Sequence, residues 1–265
     1  MQTPPRFPQS PDVPTLMVFG HPAHELALFG AIQRLDPDIL IVTDGGGPER
    51  QDYSRRALER IGMVERTRFL GFREQDFYRA LLDADTDYFD AVVAKIRGEI
   101  ERLQPRQIFC DGVEYYNPVH DITIVLVQAA LPEGAEIDIF QVPLVYQEDS
   151  GDGESYAIQR VPEPLAHRRA VLELDPEEVA LKRWARDEVY VNLRDQAGGD
   201  FMGLSDEHMA REEVLSSASM EPGPGRDGRR LRYEWRARKL RDSGELERVI
   251  GFEEHFRPMV ENYLG

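Results

Sequence analysis

Two histidines three positions apart, His21 and His24, stand in the run Gly20-His21-Pro22-Ala23-His24-Glu25. Imidazole nitrogen suits zinc, and a catalytic zinc takes three protein ligands and keeps one position open. His120 offers the third ligand, at the end of Asp111-Gly112-Val113-Glu114-Tyr115-Tyr116-Asn117-Pro118-Val119-His120. Three neutral imidazoles around zinc would supply a Lewis acid and a water of lowered pKa. Hydrolysis of an amide then also needs a base and a donor to the oxyanion. The carboxylates near these motifs are Glu25, Asp44, Asp111, Glu114 and Asp121. Asp111 and Glu114 rank first as base because they share a segment with His120. Asn117 can donate a hydrogen bond to an oxyanion but cannot move a proton. Arg50 suits a substrate hydroxyl or carboxylate, or a surface ion pair. Asp44 ends a neighbouring strand and can reach the same pocket, and Tyr115 and Tyr116 can line it or simply pack.

Each histidine motif must be carried by an element. Leu16 to Gly20 is apolar without a break, as a strand covered on both faces is. The run from Leu26 to Ile32 then reads as a helix. Ile108 to Cys110 and Ile122 to Leu131 repeat the order of strand, polar turn and helix. Further strands are expected at residues 38–43, 67–71 and 136–146, and helices at 51–61, 75–82 and 88–103. Pro105 ends the last of these. Alternating strands and helices imply a parallel sheet with right-handed crossovers, and such sheets place ligands beyond the carboxyl ends of their strands.

After residue 147 the pattern weakens. A short strand is expected at 156–161, a helix at 176–191 behind the cap Asp175 and Pro176, and a mobile loop near 216–228, rich in Ser, Pro and Gly. The basic run 229–241 is expected to dock back onto an otherwise acidic molecule. The expected organisation is a flexible arm (1–13), an α/β core (14–147), and an extension (148–265) that completes or covers it. His167, His208 and His255 lie beside charged residues outside the matched motifs and are expected on the surface.

The 265 residues carry a formal charge of −17, which argues against nucleic acid and anionic membranes as partners. No run is long enough for a membrane span. The lone cysteine, Cys110, excludes an internal disulfide and fits a reducing cytoplasm; at a strand end it reads as a small buried hydrophobe. Gly45-Gly46-Gly47 can cradle an anion or simply turn, and Pro48 and the spacing exclude a dinucleotide fingerprint.

These motifs resemble the PIG-L/LmbE family of zinc-dependent N-acyl-sugar deacetylases over about residues 14–147. That family has an A-H-P-D-D-E-like turn after its first strand and an H-P-D-H-like motif later. Thr43-Asp44-Gly45, Arg50 and Ile61-Gly62 match further, with Tyr53 where the family has Glu. Carried over by position, the resemblance makes His21, His24 and His120 the metal ligands and Glu25 a residue behind them. It also implies a Rossmann-like three-layer sandwich with a mostly parallel sheet, here with a C-terminal mainly helical extension. The activity implied is zinc-dependent deacetylation of an N-acyl sugar or glycoconjugate. The departures bear on catalysis: Ala23 stands where the family has its basic Asp, His24 where it has a ligating Asp, and Asn117 where it has a helper His. The site residues expected on this reading are Asp111, Glu114 and Asn117 for catalysis and Asp44, Arg50 and Tyr116 for substrate. The alternative is a catalytically altered or inactive metal-binding relative, a ligand-binding or biosynthetic accessory protein. Oligomeric state is left open.

Overall fold

Alternate residues of the first strand, β1 (Thr15–Phe19), face opposite layers of the molecule. Leu16 and Val18 belong to one apolar cluster, Met17 and Phe19 to another. That division follows from the two-residue repeat of a strand and requires cover on both sides. In the computed structural model, which describes residues 5–147, 156–193, 204–217 and 231–265, the cover is helical. One face packs on α4 (Thr86–Leu103) and α5 (Pro118–Ala130) through Phe89, Val92, Ile96, Ile122 and Val125. The other packs on α1 (Phe29–Leu35) through Ala31, Ile32 and Leu35.

The sheet has seven strands in the order β3-β2-β1-β4-β5-β9-β8. β2 (Asp38–Thr43), β3 (Thr67–Phe72), β4 (Gln107–Asp111) and β5 (Asp138–Val142) run parallel to β1. The order reverses between β1 and β4, so a crevice opens beyond their carboxyl ends. α2 (Pro48–Arg60) and α3 (Glu74–Asp83) follow β2 and β3.

Four local departures from the sequence reading have physical causes. The first helix begins as a 3-10 turn at His24–Leu28, entered through Ala23 in a left-handed conformation (φ 79°). α5 starts at Pro118 rather than Ile122: Asn117 Oδ1 accepts from the Val119 amide at 2.8 Å and Pro118 takes the first helical position. The strand expected at 136–146 is broken after Val142. Pro143 has no amide to donate, and the Leu144 and Val145 amides turn to the Glu114 carboxylate instead, Val145 at 2.9 Å. The chain resumes as β6 (Val145–Gln147), paired with β7 (Tyr156–Ile158). The helix expected at 176–191 runs as α6 (Pro176–Trp184) and then widens to a π-turn, Ala185–Val189.

The extension supplies strands as well as helices: β9 (Arg211–Ser217) pairs antiparallel with β5, and β8 (Arg169–Glu173) pairs antiparallel with β9, which continues the main sheet. The basic run folds as the helix Arg232–Asp242, and Leu231 and Tyr233 join the α4–α5 layer. Phe7 of the expected arm is buried, its ring 5.9 Å from Phe109. Most of the loop expected at 216–228 lies outside the described residues, and Ser216 and Ser217 end β9. Among the described residues, no helix is long and apolar enough to cross a membrane.

Candidate metal centre

β1 and β4 are neighbours, so their carboxyl ends deliver the two histidine motifs to one place. The loop after β1 carries His21 and His24. The loop after β4 and the first turn of α5 carry His120. All three rings are buried, with centroids 5.0 Å (His21–His24), 5.3 Å (His21–His120) and 4.5 Å (His24–His120) apart. One nitrogen from each can be chosen so that all lie within 4.8 Å of one another, a spacing that fits a single cation.

Each of two rings is held from behind by a buried carboxylate. Asp111 Oδ2 lies 2.8 Å from His24 Nδ1 and also accepts the Gly20 amide at 2.7 Å. Glu114 Oε2 lies 2.6 Å from His120 Nδ1, while its other oxygen takes the Leu144 and Val145 amides. A carboxylate on Nδ1 leaves Nε2 as the atom available to a cation, an arrangement that commonly supports a metal-bound histidine. Gly20 is needed at this junction: a Cβ there would lie 2.8 Å from Thr123 Oγ1 and 2.9 Å from Asp111 Oδ2. Asp121 holds the turn before α5, accepting the Glu114 amide at 2.7 Å and the Tyr115 amide at 3.1 Å, with Tyr115 at φ 61°.

The third ring has a partner that sequence reasoning missed. Glu74 Oε1 lies 3.0 Å from His21 Nε2, yet that nitrogen makes no aligned hydrogen bond. Glu74 opens α3, two residues after β3 ends, at the same edge of the sheet. Position just beyond a parallel strand's carboxyl end was the one available signal. Tyr78 donates to Glu74 Oε1 at 2.8 Å.

Charge is distributed unevenly over these groups. Burial pushes the pKa of His21 down, and that of His24 well down, where His120 and His21 add to the effect. Burial also acts on His120 but is outweighed by Glu114 and Asp111, which raise it. Burial lifts Asp111 to about 6 and Asp121 to about 7. Burial alone would raise Glu74 too, but His21, the Tyr78 hydroxyl and Arg50 hold it at about 2, so it is ionised near neutrality.

A cavity of about 430 Å³ opens over the three rings, lined also by Glu74, Tyr78, Asn117 and Arg50. Tyr116 lines it too. Asp44 does not: its Oδ1 accepts the Gly46 amide at 3.0 Å and the Glu74 amide at 2.9 Å, so it fastens the glycine turn to the start of α3. Asp111 and Glu114 likewise sit behind the rings and outside the cavity lining, where the sequence reading had ranked them first as bases. Arg50 ties two loops together, donating to Gly45 O at 3.0 Å and Pro22 O at 3.1 Å. Glu25 is fully buried and accepts from the Tyr190 hydroxyl of the extension. Cys110 is buried, and burial pushes its thiol well up. His167 is exposed, and His208 and His255 are half-buried and outside the cluster.

No protein-family model matches the sequence, and no curated protein matches it. Solved structures do match in fold. The antimicrobial reagent A40926 pseudoaglycone deacetylase Dbv21 superposes with a TM-score of 0.54 at 13% identity, covering 77% of this chain and 96% of its own. A deacetylase of teicoplanin biosynthesis in complex with bog gives 0.52 at 15% identity, covering 77% and 98%. The zinc-inhibited form of teicoplanin deacetylase Orf2 gives 0.51 at 15% identity over the same shares. The chain has the fold of the PIG-L/LmbE-like deacetylases.

Proposed function

We propose that this chain is a metal-dependent hydrolase that removes the acyl group from an N-acylated sugar or a related amide. The observation that carries the reading is the cluster of His21, His24 and His120, two of them braced by buried carboxylates, under a cavity that also holds an ionised glutamate. His21 Nε2, buried and without an aligned hydrogen bond, fits a ligand role. Among candidate ions the all-nitrogen donor set favours zinc. Bound there, the ion would supply Lewis acidity to a water and to the amide carbonyl.

The protein's own groups then divide the remaining work. Glu74 takes the proton from the attacking water, replacing the Asp that the family has at Ala23. Its carboxylate is ionised, lines the cavity and stands beside His21. Asp111 and Glu114 fix the ring orientation and tautomer of His24 and His120 and so keep Nε2 deprotonated for the ion. Asn117 spends Oδ1 on capping α5, so its amide nitrogen is the donor for the developing oxyanion. Arg50 and Tyr116 contact the substrate, and Glu25 with Tyr190 supports the loop of His21 and His24. A reducing cytoplasm suits the buried lone thiol of Cys110.

The test is elemental analysis of the full chain, wild type beside His24→Ala, with acetate release from N-acetylglucosaminides measured on both. About one zinc per chain that disappears with His24, together with turnover that needs it, is the expected result. Absence of metal in wild type even after zinc is added back sinks the reading. Stoichiometric zinc without turnover on any N-acyl sugar favours the non-catalytic binder that Ala23 suggests.

A further inference from the structure

Three contacts fix Glu74 where it lines the cavity. The first acts on its backbone: its amide donates to Asp44 Oδ1 at 2.9 Å, which ties the start of α3 to the glycine turn. The second is room. Gly46 stands beside the carboxylate at φ 93°, and a Cβ there would lie 3.2 Å from Glu74 Oε2. The third is Tyr78. It follows Glu74 by four residues on α3, a spacing that puts both on one face of the helix, and its hydroxyl donates to Glu74 Oε1 at 2.8 Å.

The direction of that last bond is set by chemistry. An ionised carboxylate can only accept, and Glu74 is ionised near neutrality, so the phenol supplies the hydrogen. Burial, with Glu74 adding to it, pushes the pKa of Tyr78 well up, so the hydrogen stays on the phenol. The Asn117 side chain pulls the other way, as a donor to the phenol oxygen does, and its second amide hydrogen remains for an oxyanion.

Oε1 thus has one lone pair engaged by Tyr78. The same atom lies 3.0 Å from His21 Nε2 without an aligned hydrogen bond, which leaves its other lone pair uncommitted among the described residues, beside the histidines. A glutamate has three rotatable bonds, and ordering it at the edge of a cavity costs entropy. Proton transfer needs the accepting oxygen within hydrogen-bond reach, and a carboxylate that swings loses that arrangement for most of the time.

We propose that Tyr78 is a positioning residue for this reaction: its hydroxyl holds Glu74 Oε1 at the rings, so that the remaining lone pair meets the attacking water. Tyr78 itself exchanges no proton. This rests on the hydrolase reading for the water, while the coupling of Tyr78 to Glu74 is read by binding.

The experiment is a double-mutant cycle on the zinc-loaded full chain: wild type, Tyr78→Phe, Glu74→Gln and the pair. Each is titrated by calorimetry with acetohydroxamic acid, which gives its proton to a neighbouring base as its two oxygens bind zinc. Zinc content and turnover of N-acetylglucosaminides are measured on the same four chains. Tyr78→Phe should weaken hydroxamate binding about tenfold, the loss of a hydrogen bond to a charged group. It should lower kcat by a similar factor, with KM and zinc content unchanged. In the Glu74→Gln background the same change should cost less than about twofold in either readout, since an amide takes no proton and its placement no longer counts.

Losses that multiply in the pair overturn the proposal, because Tyr78 would then act apart from Glu74. A raised KM at unchanged kcat overturns it by making Tyr78 a substrate contact. A Tyr78→Phe chain that binds hydroxamate as wild type does, or a wild type that does not bind it, overturns it too. So does a Tyr78→Phe chain that loses zinc or does not fold, since the tyrosine would then hold the whole site. Non-additive hydroxamate binding without turnover in wild type would reject the hydrolase reading and keep the coupling. Turnover and binding untouched by Tyr78→Phe would do the reverse.

Discussion

Two of the clusters of ionisable side chains buried among the described residues solve opposite problems. One is the histidine site. The other joins the extension to α1: Lys182 donates to Glu212 Oε1 at 2.8 Å and to Ala27 O at 3.0 Å. Glu212 in turn accepts the Gly30 and Ala31 amides, each at 2.8 Å, at the start of that helix. Both side chains are fully buried, and both carboxylate oxygens and the ammonium have partners. At the histidine site, by contrast, His21 Nε2, Asp111 Oδ1, Glu25 Oε2 and Arg50 Nε lack hydrogen bonds among the described residues. A buried charge that is fully matched specifies a join. A buried polar cluster with unmatched atoms beneath a cavity is held ready for something that arrives from outside. The same desolvation that lowers Lys182 also lowers His21 and His24, but Lys182 has Glu212 to offset it in full hydrogen-bond geometry, whereas the carboxylate of Glu74 stands 3.0 Å from His21 Nε2 without an aligned hydrogen bond.

The largest test of this contrast is Glu74→Gln. The change keeps size and removes the charge, so turnover should fall by about 10²–10⁴-fold, the range for a lost general base, with zinc content unchanged. Loss of zinc instead would make Glu74 a ligand. On the other side, Lys182→Met strands the Glu212 charge and should cost about 3–5 kcal/mol in denaturant unfolding. Lys182→Met with Glu212→Leu should recover part of that loss, and neither change should alter zinc affinity.

Smaller effects are expected behind the rings. Asp111→Asn and Glu114→Gln should each weaken zinc affinity by about 10–100-fold in chelator competition, because each ring loses its tautomer-setting partner. An unchanged affinity would mean that the carboxylates merely fill space. Tyr190→Phe should be the mildest, costing about 1–2 kcal/mol by removing the donor to Glu25. A cost near zero would detach Glu25 from the supporting role given to it.

The contrast also explains what the sequence disclosed. β1, β2 and α4 were legible because burial leaves its mark as an unbroken apolar run or a helical repeat. The three histidines stood out in the sequence because metal ligation restricts residue type, and the fold brings them together. Glu74 was not, since Arg73-Glu74-Gln75 reads as a solvated helix start and only the parallel sheet brings it to His21. β9 was hidden for a related reason. Its Arg211-Glu212-Glu213 looks like surface, yet both glutamates are buried, one on Lys182 and the helix start, the other near Arg160, Arg169 and Arg211. Charged residues buried by pairing leave no periodic trace, because the partner that neutralises them is remote in sequence.

The place of β9 sets a schedule for synthesis. β5 is hydrogen-bonded to β4 on one side and to β9 on the other, and Glu212 of β9 also completes the start of α1. The ribosome must add roughly 70 residues after β5 before β9 exists, several seconds at about 5–20 residues per second. Through that interval the nascent chain presents an open strand edge, where a second chain can pair. Chains stalled on the ribosome just before residue 205 should be cut readily by protease and those stalled well beyond 217 should resist. A chaperone that shields strand edges should raise the yield of this protein more than one that acts after release.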